Sequence, residues 1–317
     1  MAAERRFRAM GSDAHVVVVG PPALLDDAVA RIEQLESRWS RFRPTSEVAR
    51  LNVAAGRPVE VSADTIALVG RAVDAWRMTA GFVDATLLSD LLAAGYDGSF
   101  DSLPADRPAA SDPPRPLSLL GPADIEVSGA TVRLPAGLGF DPGGIGKGLA
   151  ADLVSAELMA AGAHGVCVNL GGDLRVRGLS PAGDGWTISL DHPHRAAPLA
   201  LVGVVDGGIA TSTDLLRRWS VGDEVRHHLI DPRTGRPAES DVALVSAVAG
   251  EAWMAEAMAK AVLLRGGAHP WDLVDGSGAE ALLARRDGTV EASAGLAAFL
   301  GGATLPTSLD DQEAMHP

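Results

Sequence analysis

Lysine is almost missing from this chain: of its 27 lysines and arginines, only Lys147 and Lys260 are lysine. Arginine stands everywhere else, so these two positions are candidates for sites that need a compact ammonium where a planar guanidinium would not fit. Asparagine is as scarce, at Asn52 and Asn169. A GC-rich coding bias that left survivors at random is the competing reading, so rarity nominates these residues without deciding their roles. The single cysteine, Cys167, excludes an internal disulfide and a cysteine-cluster metal site. It lies in the apolar run "GVCVNL", which suits a buried, inert thiol. Positive charge is also short. A formal net charge of -14 argues against a general nucleic-acid or anionic-membrane surface, because such partners need basic patches, and an anionic ligand needs local positive groups. No run of 18 apolar residues is present, and the N-terminus enters a strand-like segment without an apolar signal core, which reads as a cytoplasmic protein.

What is present is an ordinary globular composition, 47% hydrophobic and 21% charged over 317 residues. His15 to Gly20 reads as a buried strand. A helix follows from about Leu24 to Phe42, with Ala28, Ile32, Leu35 and Trp39 at helical spacing. Ser62 is placed to cap a second long helix, "ADTIALVGRAVDAWRMT", with Gly81 just past its end. The proline-rich stretch 104–122 reads as a surface excursion, and residues 304–317 as a disordered tail. "IEVSGATVRLP" reads as a hairpin. Later come a helix from about Gly146 to Ala161, several strand-like runs, a helix from about Ala252 to Leu264 and a late hairpin. Strands and helices without strict βαβ alternation predict an α+β fold with mixed or antiparallel sheets and packed helices, in one domain over 1–317.

The stretch "FDPGGIGKGLAAD" resembles a phosphate loop, yet it fails as a Walker A motif. Asp141 replaces the first glycine, and Gly148 follows Lys147 where a hydroxyl is needed for magnesium. Its glycines would still let backbone approach a ligand at a helix N-terminus that favours negative charge. "NLGGDL" forms a second glycine corner between Asn169 and Asp173. Thr211, Ser212 and Thr213 are placed to cap a helix or bond a ligand. "HHLIDPRTGRP" joins a histidine pair, able to carry a proton near neutral pH, to a turn. Glu256 and Lys260 stand at i and i+4 among small and apolar neighbours. A buried carboxylate and ammonium there need a reason, which a ligand phosphate or a metal would supply.

In this order the motifs "FRAMGSDAHVVV", "ESRWSRFRPTSEVARLN", "TAGFVDAT", "FDPGGIGKGLAAD", "NLGGDLRVRG", "GGIATST", "HHLIDPRTGRP" and "AEAMAKA" resemble those of the FAD:protein FMN transferases of the ApbE type, over about Arg6 to Gly266. The resemblance implies a T-fold-like architecture with the ligand in a cleft between two lobes. It also implies transfer of FMN from FAD to a threonine hydroxyl on an acceptor protein, with AMP released. An FAD pyrophosphatase yielding AMP and FMN, or a non-catalytic FAD-binding protein, are the alternatives. By motif position, Met10, Phe42, Phe82, Val83 and Asp84 would line the flavin or adenine site. Asp141, Gly144 and Lys147 would meet the dinucleotide, with Thr211, Ser212 and Glu256 contributing, and His228 would be the base on the acceptor hydroxyl. Lys147 and Lys260 would act on the diphosphate. Acceptors of this family carry a short Asp-containing segment ending in Ser/Thr-Gly-Ala-Thr; "DIEVSGAT" in this chain ends so at Thr131, but its Asp124 is one residue too far away for that pattern. The implied magnesium site would use the Gly144 carbonyl and Glu256, but Lys260 stands where a threonine ligand is usual. Either magnesium binds with fewer protein ligands and more water, or the Lys260 ammonium partly replaces it.

Overall fold

The structure is a computed structural model that describes residues 1–100, 103, 106–107 and 120–309. Most of the predicted excursion 104–122 lies outside the described residues, as does the predicted tail from 310 on. Residues 304–309 depart from the tail expectation: Pro306 is buried, the Thr307 carbonyl accepts from the Val290 amide at 2.9 Å, and Leu305 and Leu309 pack on the core.

In chain order, β1 (Ala2–Ala9), β2 (Ser12–Val19) and α1 (Leu24–Trp39) precede α2 (Glu47–Val53), β3 (Val59–Glu60), α3 (Ala63–Met78) and α4 (Leu88–Ala93). Next come β4 (Asp106–Arg107), β5 (Glu126–Ser128), β6 (Thr131–Arg133) and α5 (Gly146–Ala160). The strands β7 (Gly165–Leu170), β8 (Asp173–Gly178), β9 (Trp186–Leu190), β10 (Ala200–Val204) and β11 (Asp206–Thr213) follow. The chain continues through β12 (Arg218–Val221), β13 (Glu224–His227), β14 (Ile230–Asp231), β15 (Arg236–Pro237) and β16 (Val242–Ala249). It closes with α6 (Ala252–Arg265), β17 (Glu280–Arg285) and β18 (Val290–Ala292).

The single domain expected from the sequence divides into two compact units. The first comprises Met1–Ile32, Lys147–Leu215 and Ser240–Pro317. Its frame is an eight-stranded sheet in the order β1-β2-β7-β8-β11-β16-β17-β18, antiparallel at every pairing. One face carries a core of Val17, Cys167, Val176, Ile209, Leu244 and Leu282, covered by the β9–β10 hairpin. On the other face α6 lies across β8, β11 and β16. With both faces covered, β16 is buried at every position, and its sequence is a nearly unbroken apolar run instead of an alternating one. Two glycines permit the close approach of α6. A Cβ on Gly148 of α5 would meet the Ala252 carbonyl oxygen at 2.5 Å, and one on Gly208 of β11 would meet the Ala252 nitrogen at 2.3 Å.

The second unit comprises Glu33–Gly146 and Leu216–Glu239. It holds α2, α3 and α4 with three small sheets, β3-β6-β5, β13-β12-β4 and β14-β15. Ser62 caps α3 as expected, its hydroxyl accepting from the Thr65 amide at 3.4 Å, and the hydroxyl donates to Glu47 Oε2 at 2.8 Å. Asn52 holds the backbone of Phe140 on both sides, donating to its carbonyl at 2.9 Å and accepting from its amide at 2.6 Å. In the first unit, Asn169 accepts from the Gly172 amide at 2.9 Å and so closes the glycine corner. Both scarce asparagines therefore act on backbone.

Candidate active site

The first unit gathers both lysines. Lys147 lies in the first turn of α5, where its Nζ pairs with Asp173 at the head of β8 and lies 3.9 Å from Glu256 Oε1. Lys260, one turn beyond Glu256 on α6, places its own Nζ at the same 3.9 Å from Oε1. The other carboxylate oxygen, Oε2, accepts from the Gly148 amide at 2.8 Å. Glu256 is only 2% exposed, and burial first, then the charge of Asp173, holds its carboxyl above the usual carboxylate range against the pull of both ammoniums. The helix is buried around it, with Ala255, Ala257, Ala259 and Ala261 all enclosed, so the buried reading of this i, i+4 pair holds.

A second charged group supports the first. Asp152 of α5 accepts the amides of Ala252 and Trp253, each at 2.9 Å, and so satisfies the N-terminus of α6. Arg175 of β8 pairs with it at 3.1 Å and also contacts Asp206. Sequence reasoning passed over Asp152 and Arg175, although Asp152 closes the "GLAAD" stretch that it quoted.

The structure corrects the placement of Thr211, Ser212 and Thr213, which cap no helix. They lie in β11, whose alternation sends neighbouring side chains to opposite faces. Thr211 shares a 2.8 Å hydrogen bond with Ser246 of β16, while Ser212 falls on the sheet face of Gly208, which packs on α6. Thr213 donates to the Ala243 carbonyl at 2.8 Å. Met10 and Gly11 form a two-residue hairpin turn between β1 and β2, at φ 51° and 68°. Glycine or asparagine normally fills such left-handed positions, so a methionine there is held under strain of the kind found at functional sites.

The second unit places the other predicted residues. Asp141 caps the 3-10 turn Pro142–Gly144 by accepting from the Gly143 amide at 2.6 Å, and Arg41 Nε meets its other oxygen at 2.5 Å. Gly144 ends that turn. Arg41, which the sequence reading did not single out, lies 4.0 Å from the Phe42 ring centroid and 4.7 Å from that of Tyr96. Tyr96 in turn stacks on Trp219 at 5.5 Å. Phe42 is 40% exposed, so this aromatic and cationic surface is open at one end. Phe82 lies under the Arg233 guanidinium at 5.1 Å, and Arg233 forms a two-point pair with Asp231. Val83 is buried, and its amide is held by Thr79. Asp84 accepts from the amide and hydroxyl of Thr86, while burial raises its carboxyl above the usual range.

The histidine pair divides by environment. His227 is buried, with Nδ1 accepting from the Leu229 amide at 3.3 Å and Nε2 facing the Ala238 carbonyl at 3.0 Å. Those bonds fix it as the neutral Nε2–H form and occupy its lone pair. His228 beside it is half-buried.

Magnesium fits the lysine cluster poorly. Two ammoniums already balance the carboxylates of Asp173 and Glu256. A divalent ion about 2.1 Å from Glu256 Oε1 would lie within about 6 Å of both, and their like charge would offset much of the carboxylate's attraction for it. Among the described residues no group of three His, Cys, Asp or Glu side chains is placed to hold a metal ion.

The comparisons agree with this architecture. The chain is 31% identical over 299 residues to the FAD:protein FMN transferase of Treponema pallidum, covering 86% of this chain and 80% of that one. It is 27% identical over 271 residues to the enzyme of the same name from Vibrio cholerae, covering 81% and 79%. The crystal structure of the ApbE protein of Thermotoga maritima superposes with a TM-score of 0.83 at 25% identity, covering 95% of this chain and 99% of that one. The flavin transferase ApbE of Vibrio cholerae shares the fold with a TM-score of 0.78 at 23% identity, covering 95% and 99%. The ApbE family pattern spans residues 10–283, and the chain belongs to the ApbE family.

Proposed function

We propose that this chain moves FMN from FAD to a threonine hydroxyl of an acceptor protein and releases AMP. The observation that carries the reading is the Lys147–Glu256–Lys260 cluster, which brings the two lysines of a chain of net charge -14 together over one buried carboxylate. The relatives are named for moving FMN from FAD to a protein, which supports the reading. The acceptor oxygen bonds to the phosphorus of the FMN half, and the anhydride bond to the AMP half breaks. AMP departs with the electron pair, and the hydroxyl proton passes to His228. Little covalent work falls to the protein in such a step, so placement and charge neutralisation dominate, and the two ammoniums serve the second need. Of the histidine pair His228 is the candidate base, because the ring of His227 is committed to backbone.

Incubation with FAD and a peptide containing Ser/Thr-Gly-Ala-Thr tests the reading by mass spectrometry and nucleotide chromatography. AMP together with a peptide heavier by FMN is the expected result. AMP with free FMN would make the chain a pyrophosphatase, and neither product would make it a binding protein.

A further inference from the structure

Lys260 marks the point where this chain departs from the metal site that its resemblance implies, and the geometry around it gives the departure a function. Glu256 has one oxygen engaged by the Gly148 amide at 2.8 Å, which leaves the other as the less encumbered of the two. That oxygen faces Lys147 and Lys260 at an equal 3.9 Å. The α6 backbone that carries Glu256 and Lys260 has little room to shift, since the small residues between and around them are enclosed. The layering matters as much as the distances. The lysine side chains are 18% and 14% exposed, whereas those of Asp173 and Glu256 are 4% and 3% exposed. An approaching ligand therefore meets ammonium first, with the carboxylates beneath.

We propose that the Lys260 ammonium takes the place of a divalent cation, so that Lys147 and Lys260 together hold the diphosphate of FAD and Glu256 takes no metal. The identity of the anion rests on the transferase reading; the exclusion of metal does not. A lysine has no lone pair to offer a metal, but three N–H donors to offer phosphate oxygens. Replacing it with threonine restores a hydroxyl oxygen beside Glu256 and removes one of the two repelling charges. The single substitution Lys260→Thr is expected to turn a metal-free site into a metal-requiring one.

Mn2+ serves as the probe, read by the loss of its free-ion electron paramagnetic resonance signal. The full-length wild type is expected to leave the signal intact, and Lys260→Thr to take up Mn2+ saturably. In parallel, flavin fluorescence reads FAD binding in EDTA. The wild type binds without added metal, and Lys260→Met weakens binding by about tenfold or more, the worth of one charge-assisted contact. AMP release by the wild type persists in EDTA, whereas Lys260→Thr loses it and regains it with Mg2+. Circular dichroism reports whether each variant is folded, and the wild-type measurements stand if one is not. Saturable Mn2+ uptake by the wild type that Glu256→Gln abolishes would overturn the proposal. So would FAD binding that collapses in EDTA, or a folded Lys260→Thr that leaves Mn2+ free. If no AMP forms under any condition, the transferase reading fails while the Mn2+ result still decides the metal question.

Discussion

Asp152 shows how a single buried group couples the site to pH. Its carboxylate has three partners, yet burial outweighs them and pushes its pKa from 3.8 up to about 6. Between those values the folded chain holds more protons than the unfolded one, so the stability contributed by this group is greatest below pH 4 and is lost as pH rises to 6. The displacement corresponds to about 3 kcal/mol. Asp152→Asn cannot titrate. Relative to wild type, its unfolding free energy should therefore climb by up to about 3 kcal/mol from pH 4 to pH 6.5, on top of a constant loss from the altered contacts. Urea denaturation at several pH values measures the difference, and a difference independent of pH would mean that the carboxylate is ionised throughout.

At the scale of elements, the approach of α5 to α6 sets the cluster. Gly148 is the contact point, and it presents two opposed effects to substitution. Alanine within an exposed helix gains up to about 1 kcal/mol over glycine. Here its Cβ would lie 2.5 Å from a backbone oxygen of α6, and overpacking of this kind costs about 1 to 3 kcal/mol. The clash wins, so Gly148→Ala is expected to lower the urea midpoint and to weaken FAD binding by displacing Glu256 from its amide. A raised midpoint would show that the helices part without cost.

Legibility followed the same scale. α1 and α3 announced themselves by apolar spacing and a serine cap, and the buried character of α6 was readable from the alanines around Glu256. β1 escaped notice because Arg5, Arg6 and Arg8 lie in an edge strand whose positions are mostly exposed. β11 escaped because "GGIATST" is small and polar, although it sits in the middle of the sheet. Thr211 and Ser212 looked like one functional pair until strand alternation separated them. Lys147 was singled out by scarcity, but its partner Asp173 lies 26 residues away and Arg41 lies 100 residues from Asp141. Pairings of that kind are fixed by topology, which local pattern does not carry.

At the scale of the whole molecule, neither unit is continuous in sequence. The first is assembled from three segments and the second from two. A fragment that stops at Gly146 contains β1 and β2 but not β7, the other neighbour of β2 in the sheet, and lacks β12 to β15 of the second unit. Such a fragment is expected to show no cooperative thermal transition by circular dichroism, in contrast to the full chain. A sharp transition would mean that the second unit closes without Leu216–Glu239.

The pairing of β2 with β7 also imposes an order on biosynthesis. The apolar "VVVV" of β2 leaves the ribosome early, and 145 residues lie between the end of that strand and the start of its partner. At about 5 to 20 residues per second the wait is about 7 to 30 s, during which the inner edge of β2 has no strand to bond. An unpaired apolar edge is a template for association with other chains. The nascent chain is thus most exposed to aggregation while the second unit's first segment is being made, and translation speed across residues 20–164 becomes a determinant of yield.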